Sequence, residues 1–180
     1  AEVGEVSSEQ ALDNEVDMSK AKQIIAEAIE AHGGAKYKQA EIEFDFRDRH
    51  YKYMQDGGTY QYERIFKDSS EQKVRDVLTN DSFVREIADQ PVDIREEWKG
   101  KYSNSVNSVV YFLMLPFRLE DQAVNASYAG ESKIKGEPYH KVRVTVGQEG
   151  GGKDYQDIFM YWFHQDKKTM DYLAYSYEVD

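Results

Sequence analysis

The apolar positions change period along the chain, and each change predicts a boundary. Over residues 19–32, Ala21, Ile24, Ile25, Ala28, Ile29 and His32 recur every three or four residues, the spacing of one helical stripe. Asp17 or Ser19 can cap its start, and Gly33-Gly34 can end it in the left-handed conformation. His32 falls in the last turn, where the helix dipole favours a cation. From residue 40 the period is two: Ile42, Phe44 and Phe46 alternate with Glu41, Glu43, Asp45 and Arg47. Tyr51 and Tyr53 take the opposite parity, which predicts a bulge or twist near Arg49-His50. Asp56-Gly57-Gly58 reads as a hairpin turn. Beyond it Tyr60, Tyr62, Arg64 and Phe66 share one face. Asp68-Ser69-Ser70 turns the chain again, Val74 and Leu78 follow, and Asn80-Asp81-Ser82 leads to Phe83, Arg85 and Ile87. Four short strands joined by polar turns are the pattern of an antiparallel meander.

After Gln90-Pro91 the spacing becomes helical. From Trp98 to Leu115, residues Tyr102, Val106, Val109, Val110, Leu113 and Met114 form a stripe, and Pro116 ends it. Ser and Asn at 103–105 and 107–108 weaken this helix. Four strands then resume: Ala126–Ile134, a stretch around Val142, Val144 and Val146, Ile158–His164, and Met170–Val179. Ile158–His164 is apolar on both faces, so cover on both sides is expected. In the last strand Leu173, Tyr175 and Tyr177 share a face. Either that strand is an edge, or the natural protein continues past Asp180. The order predicts a mainly β (α+β) fold: a curved antiparallel sheet, or half-barrel, with the N-terminal helix and the central helix on its concave face.

Charge refines the picture. The 180 residues carry a net charge of −11. Glu2, Glu5, Glu9, Asp13, Glu15 and Asp17 supply six of those charges with no Lys or Arg among them, leaving −5 for the rest. Residues 1–17 therefore read as an acidic flexible tether, and 18–180 as one domain. The acidity disfavours nucleic acid, whose binding rests on Lys and Arg, and unassisted docking on an anionic membrane. No cysteine occurs, which removes thiolate and Cys-based metal chemistry. The most apolar run, Val109–Leu115, is far shorter than the roughly 20 residues that cross a bilayer. Aromatics reach 13% and prolines number only 3, a composition suited to strands.

Catalytic signals are absent from the local text. Gly147 to Lys153 nearly spells a phosphate loop, but Asp154 stands where a hydroxyl must hold Mg²⁺, and a strand follows in place of a helix. The histidines His32, His50, His140 and His164 form no short metal spacing. Asp154 and Asp157 near Asp166 lack the regular oxygen spacing of a calcium loop and read as solvated turn acids. The strand arginines are more informative. Arg64 shares parity with Tyr60, Tyr62 and Phe66, and Arg85 with Phe83 and Ile87. If those faces point inward, each guanidinium needs a carboxylate, helix-end carbonyls or an anionic ligand head. The alternative places both at the rim, or in cross-strand pairs with Asp or Glu.

The elements together resemble the LolA-like superfamily of envelope lipoprotein carriers. The local text is similar to a family of uncharacterised lipoproteins from Bacteroidetes. The residues that carry this are Ala31-His32-Gly33-Gly34, Phe44-Asp45-Phe46-Arg47, Tyr60-Gln61-Tyr62-Glu63-Arg64, Tyr111 to Phe117, and Gly152-Lys153-Asp154-Tyr155. The resemblance implies a greasy half-barrel able to hold acyl chains, export to the periplasm or outer membrane, and a lipid anchor on an upstream cysteine. Residues 1–17 would then join the domain to that anchor. The resulting expectation is a non-enzymatic envelope protein, with no cofactor or metal, that binds a lipid or other apolar ligand. The expected ligand contacts are Phe44, Phe46, Tyr60, Tyr62, Arg64, Phe83, Arg85, Val110, Leu113 and Met114. Two alternatives remain: an assembly module that docks another protein, and a hydrolase.

Overall fold

The computed structural model describes residues 8–147 and 158–176. It contains two α-helices and ten strands, all paired antiparallel, in one ladder of six and one of four among the described residues. The mainly β class with two helices therefore holds. The strands form two ladders, and the chain divides into two compact units. One unit takes Ala1–Gly34 with Pro116–Asp180, and the other takes Ala35–Leu115.

The unit Ala35–Leu115 is a meander with a helix laid on it. Its strands are β1 (Gln39–Phe46), β2 (Arg49–Asp56), β3 (Thr59–Lys67), β4 (Lys73–Thr79), β5 (Phe83–Ile87) and β6 (Gln90–Val92), each paired with the next. Six strands replace the four expected, for two reasons. The parity change before Tyr51 is a two-residue hairpin rather than a bulge: Phe46 pairs directly with Arg49 across Arg47-Asp48, at φ 51° and 59°. Ala88-Asp89 makes the same kind of turn, φ 51° and 62°, and adds β6. Both turns need positive φ at two positions, normally signalled by Asn or Gly, and neither sequence carries that signal. The Gly57-Gly58 turn does carry it and falls where expected.

Helix α2 (Glu96–Leu113) packs on β3, β4 and β5. It is a single uninterrupted helix, with Glu96 and Glu97 in its first turn, where the dipole favours acids. The Ser/Asn run that weakens it does not break it. Ser108 Oγ donates to the Asn104 carbonyl, and Ser105 turns into the sheet.

In the other unit, β7 (Val124–Ile134), β8 (Glu137–Val146), β9 (Ile158–His164) and β10 (Met170–Ser176) form the four-stranded ladder, with β7 and β10 at its edges. Helix α1 (Ser8–His32) packs on β7 through Ala21, Ile24, Ile25, Ala28 and Ile29, all buried. The helix starts eleven residues before the expected 19, so residues 8–17 are helical rather than a structureless tether; residues 1–7 lie outside the described residues. Leu12, Val16 and Met18 on that first half are exposed. Strand β9, expected to be covered on both sides, is covered unevenly: Tyr161, Phe163 and His164 are buried, while Phe159, Met160 and Trp162 are half-buried. His164 accepts the N–H groups of Asp166 and Lys167 on Nδ1, so its proton sits on Nε2 and is donated to Glu137 at 2.9 Å. This caps the turn between β9 and β10. The loop expected at 147–153 and residues Asp154, Asp157 and Tyr177 lie outside the described residues, apart from Gly147.

Candidate functional site

Strand pairing places three rows of side chains on the face that α2 covers. The first runs Phe46, Arg49 on β1 and β2, then Phe66, Val74 and Ile87. The second runs Phe44, Tyr51, Arg64, Asp76, Arg85 and Val92. The third runs Ile42, Tyr53, Tyr62, Leu78 and Phe83. Aromatic rings stack along these rows. Phe44 and Tyr51 lie 5.1 Å apart and Tyr53 and Tyr62 5.2 Å, while along β3 itself Tyr60 stacks 4.4 Å from Tyr62. The opposite face is polar and ion-paired: Glu43 with Lys52 at 2.9 Å, and Arg75 with Glu63 at 2.8 Å and Glu86 at 3.1 Å. The Arg75 guanidinium holds the Glu63 carboxyl below its ordinary value, against the opposing effect of burial.

The second row answers the question posed by the two arginines. Asp76 is fully buried and lies between them. Arg64 Nε and Nη2 donate to Asp76 Oδ2 at 2.9 and 2.6 Å. Arg85 Nε donates to Oδ1 at 2.6 Å, and Nη2 to Oδ2 at 2.9 Å. Arg64 Nη1 also donates to Ser105 Oγ at 2.7 Å. The Arg85 guanidinium lies 3.6 Å from the Tyr102 ring centre. The cross-strand alternative therefore describes these arginines. Arg64 is 2% exposed, so the rim placement does not describe it.

The ten expected contacts do not form one site. Tyr62, Arg64, Val110 and Met114 are buried within the packing of this unit. Phe83 lies against Tyr102, with ring centres 6.2 Å apart. Tyr60 lines a shallow hollow at the far end of β1–β4, about 620 Å³ in volume. Phe44, Phe46 and Leu113 do come together. With Val109 and Phe112 they line an open groove of about 530 Å³ between the end of β1 and the last turns of α2, and Asp45, Arg47 and Ser108 complete its walls. Phe46 and Phe112, on its two walls, are 44% and 45% exposed, a large apolar exposure for one groove.

Sequence reading missed Asp76, Ser105 and Phe112. Asp76 was legible in principle, because it alternates with Val74 and Leu78 and shares their inward parity. Ser105 was counted only as a weak helix former. Phe112 stands off the stripe made by Val106, Val110 and Leu113. Among the described residues, no group of three His, Asp or Glu could hold a metal ion. No helix there is long and apolar enough to cross a membrane.

A mostly β unit with an open apolar groove beside a sealed charged core is the class of structure seen here. The chain belongs to a family of unknown function, DUF6503, which matches residues 11–180. It is also similar to two solved structures. One is the lipoprotein LppX of Mycobacterium tuberculosis, at 13% identity and TM-score 0.35, covering 88% of this chain and 98% of that one. The other is MucB, at 14% identity and TM-score 0.31, covering 86% of this chain. The chain spans about half the length of the MucB chain, 50%. No curated protein matches it.

Proposed function

We propose that the protein is a non-enzymatic envelope protein that binds a lipid acyl chain or similar apolar ligand in the groove between β1 and α2. The supporting observation is the groove itself. Its volume of about 530 Å³ lies within the roughly 300–1,000 Å³ of small-molecule pockets. Phe44, Phe46, Val109, Phe112 and Leu113 give it apolar walls, two of them widely exposed. The ligand lies at the edge of the α2-bearing face, because Tyr62, Val110 and Met114 already fill its centre. The envelope location and an upstream lipid anchor rest on the sequence resemblance to LolA-like carriers.

Native mass spectrometry of protein purified from its own envelope tests this. Retained lipid supports it, as does micromolar binding of a fluorescent fatty acid lost in Phe112→Asp. No lipid and no fatty-acid binding would overturn it.

A second reading, a docking module, draws on the edge strand β10. Tyr172, Leu173 and Tyr175 are exposed there. It predicts a protein partner whose binding is lost when Leu173 is replaced by Lys, with fatty-acid binding unaffected.

A further inference from the structure

The sheet of the Ala35–Leu115 unit sorts its charges unevenly. On the α2-bearing face the three rows hold Arg49, Arg64 and Arg85 against a single carboxylate, Asp76, an excess of two positive charges. Helix α2 adds no acid from Trp98 to Leu113. This happens in a chain whose net charge is −11, with Glu41, Glu43, Asp45, Glu63 and Glu86 on the opposite face. All three guanidinium groups gather around one ring. Arg49 lies 4.8 Å, Arg64 5.6 Å and Arg85 5.8 Å from the centre of Phe66. Arg64 and Arg85 are committed to Asp76. Arg49 makes its described contact through the Phe66 ring face and pairs with Phe46, a wall of the groove. Arg47 lines the groove and lies 5.2 Å from the Phe46 ring.

From this charge complementarity we infer that the groove takes an anionic amphiphile. Its carboxylate or phosphate head meets Arg49 and Arg47 at the β1–β2 hairpin, and its chain runs over Phe46 toward Phe112. The inference rests on the apolar-ligand reading above and adds the chemical class of the head. A guanidinium presents a fork of donors that suits both head types. The buried Arg64–Asp76–Arg85 row contributes its surplus positive charge from behind, where water screens it poorly. Asp45, the acid on the groove wall, is engaged by His50 Nδ1 at 2.9 Å on the opposite face.

The test compares ligands of one chain length that differ only in the head. Palmitate and a palmitoyl lysophosphatidate are titrated beside hexadecanol and cetyltrimethylammonium, against wild type, Arg49→Gln and Arg49→Lys. The expected result is tighter binding of both anions than of the alcohol, by about tenfold, or about 1.4 kcal/mol. That preference should shrink with added salt, be lost in Arg49→Gln and be largely kept in Arg49→Lys. Preference for palmitate alone would identify a fatty-acid source, and preference for the lysophosphatidate alone a phospholipid source; either supports the inference. Equal binding of the anions and the alcohol would overturn it while leaving the apolar-ligand reading intact. Binding of none of the four would overturn both.

Discussion

Replacing Asp76 by Asn isolates the charge at the centre of the unit. Asp76 is fully buried and accepts four hydrogen bonds from two guanidinium groups. A carboxylate and a guanidinium near 4 Å attract by about 4 kcal/mol at an effective dielectric of about 20. Asp76 makes two such pairs, and desolvation of the three groups offsets part of that gain. Once it is neutralised, Arg64 at 2% exposure and Arg85 at 12% repel each other with no counter-charge. Breaking a buried pair in this way typically costs about 3–5 kcal/mol. That is a large share of a total stability of about 5–15 kcal/mol. With a urea dependence of about 2 kcal/mol per molar, the unfolding midpoint should fall by about 1.5–2.5 M. Arg85→Gln should cost clearly less than Asp76→Asn, because Arg64 and Asp76 remain a neutral pair. The assay is urea unfolding followed by circular dichroism on the three proteins. If Asp76→Asn lay within about 1 kcal/mol of wild type, or if Arg85→Gln were the worse variant, the reasoning about the row would be wrong.

Three further outcomes follow from the packing and the charges. Met114→Ala should cost about 2–5 kcal/mol because Met114 is fully buried, whereas Phe46→Ala should cost under about 1 kcal/mol; thermal and urea melts compare them. Phe112→Asp should leave the unfolding midpoint near wild type and weaken fatty-acid binding at least about tenfold, read by fluorescence titration. Burial, aided by the nearby Lys20 ammonium, holds His140 below its ordinary value. The unfolded chain then binds the proton first, so His140 favours the fold above about pH 6.5 and that contribution drains away as the pH falls. Urea midpoints at several pH values should drop less steeply in His140→Gln than in wild type.

Legibility in the sequence followed how local each signal is. Helix α2, strand β9 and the Gly57-Gly58 hairpin were readable because periodicity, Pro116 and glycine act within a few residues. The Arg47-Asp48 and Ala88-Asp89 turns were not, because residues with side chains occupy left-handed positions that the neighbouring strand pairing imposes. Helix α1 extends through an acidic stretch without an apolar stripe, so periodicity placed its start too late. Parity placed Arg64 and Arg85 on the right face. Their partner needed the β3–β4–β5 register, which brings Asp76 between them from 12 and 9 residues away. The ten expected contacts mixed core with surface, since an apolar residue reads alike in both. Only the depth of packing separates Met114 from Phe46.

The most direct test of the account is photocrosslinking with a fatty acid that carries a photoactivatable group near its chain end, followed by peptide mapping. The account predicts one label per chain, confined to the end of β1 around Phe46 and to the last turns of α2 around Phe112, and competed away by unlabelled palmitate. Labelling confined to β9 and β10, or no competable labelling at all, would contradict it.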